Sequence, residues 1–181
     1  GLVSIVAALF SLPFGIGGFI WGALCQVIVV TGVHHALNLV EIEMLAKTKW
    51  NPVNPVGSCG IVAQAGAAMA VAVRTKSTKM KSLGYPSAIS ALLGITEPAM
   101  FGVNLKMKYP FYAAMFGSAV GCAYVTLTNV QNISPGAAGI IGFVCIKSGG
   151  MLNYMIGILI SLVVGFAVTM ALSKHSKFKE V

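Results

Sequence analysis

Long apolar runs separated by short basic or proline-rich segments set the plan of this 181-residue chain. Residues 2–33 are apolar but interrupted by Pro13 and by the glycines of Gly15-Ile16-Gly17-Gly18, and the cleanest stretch within them is about 17–31. A helix crossing the hydrocarbon core needs roughly 20 apolar residues, so residues 1–33 are expected to hold one span or more. From His34 to Leu45 the apolar residues fall at 37, 40, 44 and 45, with Asn38 and Glu41 on other faces. That helical spacing predicts an amphipathic interfacial helix. Asn51-Pro52 and Asn54-Pro55 then mark a loop, which completes an interfacial segment and loop over 34–56. Residues 57–73 are rich in Gly, Ala, Ser and Cys. Small residues let helices approach closely in lipid, so this is a further span. Gln64 near its middle either hydrogen-bonds to another helix or lines a path.

Three basic clusters punctuate the apolar runs: Arg74, Lys76, Lys79 and Lys81; Lys106 and Lys108; and Lys174, Lys177 and Lys179. The positive-inside rule places such loops, and with them the C-terminus, in the cytoplasm. An even number of crossings must then separate each pair. Residues 82–105, with Pro86, Gly94 and Pro98, are too short for two full spans. A re-entrant hairpin satisfies the count, with its tip near Thr96-Glu97-Pro98. Beyond it come a span at 110–130, a short broken segment at 134–147 containing Ser134-Pro135-Gly136, and a span at 151–173. The expected fold class is an all-α integral membrane protein with re-entrant hairpins and an amphipathic interfacial helix.

Composition agrees. The chain is 57% hydrophobic and 9% charged, with a mean hydropathy of +0.88, far too little charge to cover a soluble surface. The net charge of +8 comes from the loop clusters rather than from a stripe, so no nucleic-acid partner is expected. Cys25, Cys59, Cys122 and Cys145 form no CxxC pair and lie among apolar or small residues. They are expected to fill the core, with no metal site. The chain opens inside an apolar stretch without the basic flank of a signal peptide. It is expected to be the C-terminal part of a longer protein.

Glu97 is the outstanding residue. There is no Asp, and of the four acidic residues Glu41 and Glu43 lie in a mixed polar segment and Glu180 in the tail. Glu97 alone is flanked by apolar sequence, in Gly94-Ile95-Thr96-Glu97-Pro98. A carboxylate at bilayer depth is costly unless it meets a partner, a cavity or a substrate. Gly94 and Pro98 favour broken backbone, which is tolerated at that depth only inside protein or along a wet cavity. A carboxylate on broken backbone suits a transporter binding site; the plainer alternative is a structural carboxylate capping a hairpin.

The run Gly94-Ile95-Thr96-Glu97-Pro98-Ala99-Met100-Phe101-Gly102-Val103-Asn104-Leu105 resembles the GITEPA-type signature of the membrane (IIC) component of bacterial phosphoenolpyruvate-dependent sugar phosphotransferase permeases, glucose superfamily. Trp21-Gly22-Ala23, Gln26-Val27 and Thr31-Gly32-Val33-His34-His35 resemble the segment carrying that family's sugar-binding histidine. The resemblance extends over essentially the whole chain. The His34-His35…Glu41 pattern is similar to the sucrose, trehalose and β-glucoside branch.

The resemblance implies the C-terminal, sugar-carrying half of a IIC region in a bacterial cell membrane. Its implied partners are a sugar, a IIB phosphoryl-donor domain, the rest of the IIC region and lipid, with a homodimer in the full protein. No cofactor is implied, since phosphorylated IIB supplies the phosphoryl group. Sugar phosphotransferase activity is expected only of the full complex, and this piece alone is expected to be inactive. Glu97 and His34 are the implied catalytic and sugar-contacting pair. His35, Thr96, Asn104 and Gln64 are further candidate sugar contacts, and Trp21, Phe101 and Tyr109 are candidate ring-stacking aromatics. Histidines at a span end are also ordinary interfacial residues. The alternative function is a proton-coupled secondary transporter in which Glu97 and His34 relay protons.

Overall fold

The computed structural model describes residues 2–49 and 51–175, without the side chains of residues 2, 3, 35–38, 48 and 175. The basic-tail residues Lys177 and Lys179 and the side chain of His35 thus lie outside the described residues. Among the described residues the regular structure is helical, with only isolated bridges joining Asn51, Asn132 and Ile146. The chain is an all-α membrane protein. Among the described residues, four helical stretches are long and apolar enough to cross a bilayer: Pro13–Val30, Val53–Arg74, Tyr109–Leu127 and Met151–Lys174.

The chain runs through α1 (Leu2–Phe10), a 3-10 turn at Pro13–Gly15, α2 (Ile16–Val30), α3 (His34–Thr48), α4 (Val53–Arg74) and α5 (Thr78–Leu92). Short α6 (Glu97–Ala99), a π-turn at Met100–Asn104 and α7 (Leu105–Met107) come next. Then come α8 (Tyr109–Leu127), a 3-10 turn at Ile140–Cys145 and α9 (Met151–His175). On α3, Val40 and Met44 of the apolar stripe are buried in the protein core. Ser77 caps α5, its hydroxyl accepting from the Met80 N–H.

Two punctuation marks in the sequence behave differently from expectation. Asn54-Pro55 does not belong to a loop but to the first turn of α4. The first N–H groups of a helix have no intrahelical acceptor, so a proline there forfeits nothing. Pro86 lies inside α5 without ending it; the break comes after Leu92.

Helix α4 is the hub, and small residues set its distances. A Cβ on Gly66 would run into the Leu162 carbonyl oxygen of α9, and one on Gly165 would lie 2.8 Å from that of Ala63. The Cys122 thiol of α8 donates to the Val56 carbonyl at 3.2 Å. Helix α8 runs antiparallel to α9, as the pairings of Gly117 with Gly165 and of Gly121 with Gly157 require. Without a hydrophobic driving force between helices in lipid, such close approach is what holds a bundle together. The C-terminal ends of α4 and α9 and the N-terminal ends of α5 and α8 therefore share one end of the bundle. Arg74, Lys79, Lys81, Lys106, Lys108 and Lys174 gather there, all exposed.

Two segments depart from the spans. From the basic end, α5 packs along α4, where a Cβ on Gly84 would touch Ala72 at 2.8 Å. The chain reverses at residues 93–96 and returns with Gly102 opposite Leu83. At the turn, Leu92 shares a cavity wall with Val62 and Leu162, residues near the midpoints of α4 and α9. The hairpin thus reverses halfway along the bundle. From the opposite end, residues 134–146 fold inward until the Gly139 N–H donates to Ser58 Oγ at 3.2 Å and the Tyr154 hydroxyl donates to the Gly139 carbonyl at 2.5 Å. The two segments meet at their tips. Gly139 has φ +74°, and a Cβ there would lie 2.7 Å from the Leu92 carbonyl and 3.1 Å from the Gly94 nitrogen. Only glycine fits that contact.

Candidate functional site

A cavity of about 200 Å³ opens beside this meeting point. Helix α2 supplies Trp21, Cys25 and Val29, α3 supplies His34 and Glu41, and α4 supplies Val53, Asn54, Gly57 and Ile61. Gly136 and Ala138 of the inward-folded segment close it. His34 and Glu41 are seven residues apart, which places them on one face of α3. Asn54 faces the cavity because α4 begins at Val53 rather than after Pro55.

The polar chemistry here is ordered. Asn51 is fully buried; its Oδ1 accepts from the Val53 N–H at 3.0 Å, and its Nδ2 donates to Glu41 Oε2 at 3.4 Å. Asn54 Nδ2 donates to the Gly136 carbonyl at 3.3 Å. Burial raises the Glu41 carboxyl above its usual pKa, against the opposing pull of the Asn51 and Asn54 amides. The protein is thus partly reluctant to hold the charge that it has turned into the cavity. Two further buried atoms lack a protein partner: the indole N–H of Trp21 and Oδ1 of Asn54. The two side chains are only 8% and 9% exposed. Such atoms are costly unless something bonds them. Together with the Glu41 carboxylate and the His34 ring, they offer one donor, two kinds of acceptor and an imidazole around an aromatic wall. A neutral polyhydroxy ligand matches that set.

The residues singled out from sequence fall into three places. His34 lines the cavity, with Trp21 packed against Phe10 at a ring separation of 5.5 Å. Glu97 does not line it. It is exposed at the start of α6, three residues beyond Gly94, while Thr96 beside it is buried. Its connection is through the hairpin tip: a Cβ on Gly94 would lie 3.0 Å from the carbonyl of Ala138, a cavity residue. Gln64 and Asn104 are fully buried and hydrogen-bonded to each other inside the bundle, away from the cavity wall. Tyr109 is in the core and Phe101 is half exposed on the hairpin. Sequence reasoning missed Glu41 and Asn54 as site residues. The seven-residue spacing from His34 was the available signal for Glu41; Asn54 was hidden by the proline after it.

The sequence matches the family description "Phosphotransferase system, EIIC" over residues 1–119. It is 41% identical over 167 residues to a sucrose-specific EIIBC component from Pasteurella multocida, covering 91% of this chain and 35% of that one. It is 39% identical over 174 residues to the sucrose-specific EIIBC component of Vibrio alginolyticus, covering 94% of this chain and 36% of that one. It is 36% identical over 180 residues to the trehalose-specific EIIBC component of Bacillus subtilis, covering 99% and 37%. The chain thus spans little more than a third of the length of these relatives. No solved structure matches it. With the match over residues 1–119 and these identities, the chain belongs to the EIIC family of the phosphotransferase system.

Proposed function

We propose that this chain is the sugar-carrying part of a phosphotransferase permease, taking up a disaccharide of the sucrose or trehalose type and delivering it for phosphorylation by a IIB domain. The observation that carries the reading is the cavity of Trp21, His34, Glu41 and Asn54, with its two unpartnered buried polar atoms. The relatives named for sucrose and trehalose are EIIBC proteins, which supports a IIB partner for this chain. The basic end of the bundle faces the cytoplasm by the positive-inside rule, so the α5–α7 hairpin enters from the cytoplasmic side and residues 134–146 from the outer side.

In this account sugar hydroxyls bond the Trp21 N–H, the Asn54 carbonyl oxygen, His34 and Glu41, while the indole face covers the ring. Glu97, at the tip of the cytoplasmic hairpin, accepts from the hydroxyl that is to be phosphorylated and takes its proton as phosphocysteine of IIB is attacked. General-base assistance of this kind is worth about 10²–10⁴-fold. The product carries a charge of about −1.5 to −2. Beside Glu41 and Glu97 it is repelled, which favours release inward. The rest of the IIC region, a second copy of the protein and lipid cover the apolar flanks, such as Leu152, Leu159 and Val163 of α9, which are exposed in this piece.

Equilibrium binding of labelled sucrose and trehalose to the purified parent protein tests the site. Saturable binding of one of them is expected, and Asn54→Ala or Trp21→Phe should weaken it about tenfold, the effect of losing a hydrogen bond to a buried polar group. Binding unchanged by both substitutions would remove the cavity from the site.

Glu41 gives a pH signature. Its native pKa is raised by burial, so on acidification it takes up its proton at a higher pH than an exposed glutamate would. The protonated form loses acceptor capacity, and sugar affinity should fall as pH drops through that raised value. Glu41→Gln should bind weakly and lack this component, which separates it from any contribution of His34. An identical pH profile in Glu41→Gln would contradict the role.

A further inference from the structure

Asn104 closes the π-turn Met100–Asn104, seven residues after Glu97. In an unbroken α-helix seven residues make nearly two turns, and the two side chains would share a face. The π-turn inserts one residue and rotates the residues after it by about 100°. Glu97 is accordingly exposed, whereas Asn104 is 0% exposed. The Leu105 N–H donates to the Met100 carbonyl, the five-residue step that defines the turn.

The buried amide is the first of three. Asn104 Nδ2 donates to the Gln64 carbonyl at 3.0 Å and also to Gln64 Oε1. Gln64 Nε2 donates to Gln26 Oε1 at 2.8 Å, and Gln26 Nε2 donates to the Gly60 carbonyl at 2.8 Å. Gln64 and Gln26 are 0% and 2% exposed. The hydrogen bonds fix the direction of every amide, since each nitrogen meets a carbonyl oxygen. No charge takes part. The chain of amides joins the return limb of the Glu97 hairpin, through α4, to the helix whose Trp21 and Cys25 line the cavity. Helices of Ala and Val would pack here without any polar group, and the network leaves Asn104 Oδ1 without a hydrogen-bond partner, a cost that an apolar contact would not carry. Its gain is in direction: hydrogen bonds hold one register, whereas apolar contacts allow sliding.

We propose that Gln26, Gln64 and Asn104 are positioning residues, a neutral relay that fixes Glu97 relative to the Trp21–His34 wall. This rests on Glu97 and the cavity forming one sugar site. The amides hold the two halves of the site in register and do not touch the sugar.

The test uses the full-length parent, its IIB domain and labelled sucrose, read as kcat and KM for sugar phosphorylation. Asn104→Leu should lower kcat/KM by about 10²-fold, the scale of a small misplacement of a reacting group. Gln64→Leu added to it should change the value by less than about threefold, because the bond is already broken. The decisive background is Glu97→Asp, whose carboxylate is already withdrawn: there Asn104→Leu should also cost less than about threefold. An equal loss in the wild-type and Glu97→Asp backgrounds would overturn the relay, since a general structural defect ignores where the carboxylate stands. Should Asn104→Leu fail to accumulate, Asn104→Ser retains a donor toward Gln64 and is expected to show a partial loss with the same background dependence. Wild-type kinetics for Glu97→Asp itself would sink the sugar-site reading and the relay together, whereas additivity with an impaired Glu97→Asp would sink the relay alone.

Discussion

Glu97→Gln is expected to abolish sugar uptake by the parent permease, by a factor of about 100 or more, while leaving its amount in the membrane unchanged. The substitution keeps the shape of the side chain. Glu97 is exposed, so nothing in the packing of the hairpin depends on its charge. What changes is chemistry: an amide retains an acceptor but cannot take a proton from the attacked hydroxyl. The fold of the hairpin is secured elsewhere. Ser90 Oγ donates to the Ile95 carbonyl at 3.2 Å, and the Ile95 N–H donates to the Ser90 carbonyl at 3.0 Å. Uptake of labelled sucrose, alongside quantification of the protein in membranes, checks both halves of the expectation. Near-normal uptake would remove Glu97 from the site.

Gly117→Leu should do the reverse and destroy the fold before any question of activity arises. A Cβ at Gly117 would lie 2.7 Å from the Gly165 nitrogen, 2.9 Å from its Cα and 2.9 Å from the Ser161 carbonyl. All three are backbone atoms, which cannot swing aside as a side chain can. A branched side chain there must separate α8 from α9, and Gly165 in turn rests on Ala63 of α4. Overpacking costs about 1–3 kcal/mol where neighbours can yield; here they cannot, and the cost is at the upper end or beyond. The folded fraction of the parent in detergent, by size-exclusion profile and thermal midpoint, should collapse. Gly57 is the control, since a Cβ there meets nothing within 4 Å, and Gly57→Ala should fold normally. A well-folded Gly117→Leu protein would show that the α8–α9 contact is not as described.

The spans were legible in the sequence because the bilayer imposes a length and a hydropathy that few other constraints imitate. Glu97 stood out for the same reason, as a lone carboxylate in apolar sequence, and the structure places it exposed at the start of α6. What surrounds His34 was not legible. The cavity depends on α3 bringing His34 and Glu41 to a wall shared with α2 and α4, on Asn51 accepting from the Val53 N–H at the start of α4, and on Gly136 and Ala138 arriving from a segment more than 80 residues away from Asn54. No local pattern encodes such meetings. Asn54 was masked by a proline that signals a loop in one context and a first helical turn in another. Gln64 illustrates a different limit. Sequence alone left it between a helix contact and a path-lining residue. The structure shows the helix contact, to Gln26 at 2.8 Å, because the fold brings α2 and the hairpin together at one Gln64 amide. Asn104 required knowledge of the π-turn, since in an α-helical register it would have faced the same way as Glu97.

The central claim is that this chain carries sugar to a phosphoryl donor rather than coupling sugar to protons. Membrane vesicles containing the full-length parent, loaded with phosphoenolpyruvate and the general phosphotransferase proteins, should accumulate labelled sucrose as its phosphate ester, and an uncoupler should leave that accumulation intact. Free sugar whose accumulation collapses with the proton gradient would contradict the account and recast Glu97 and His34 as a proton relay.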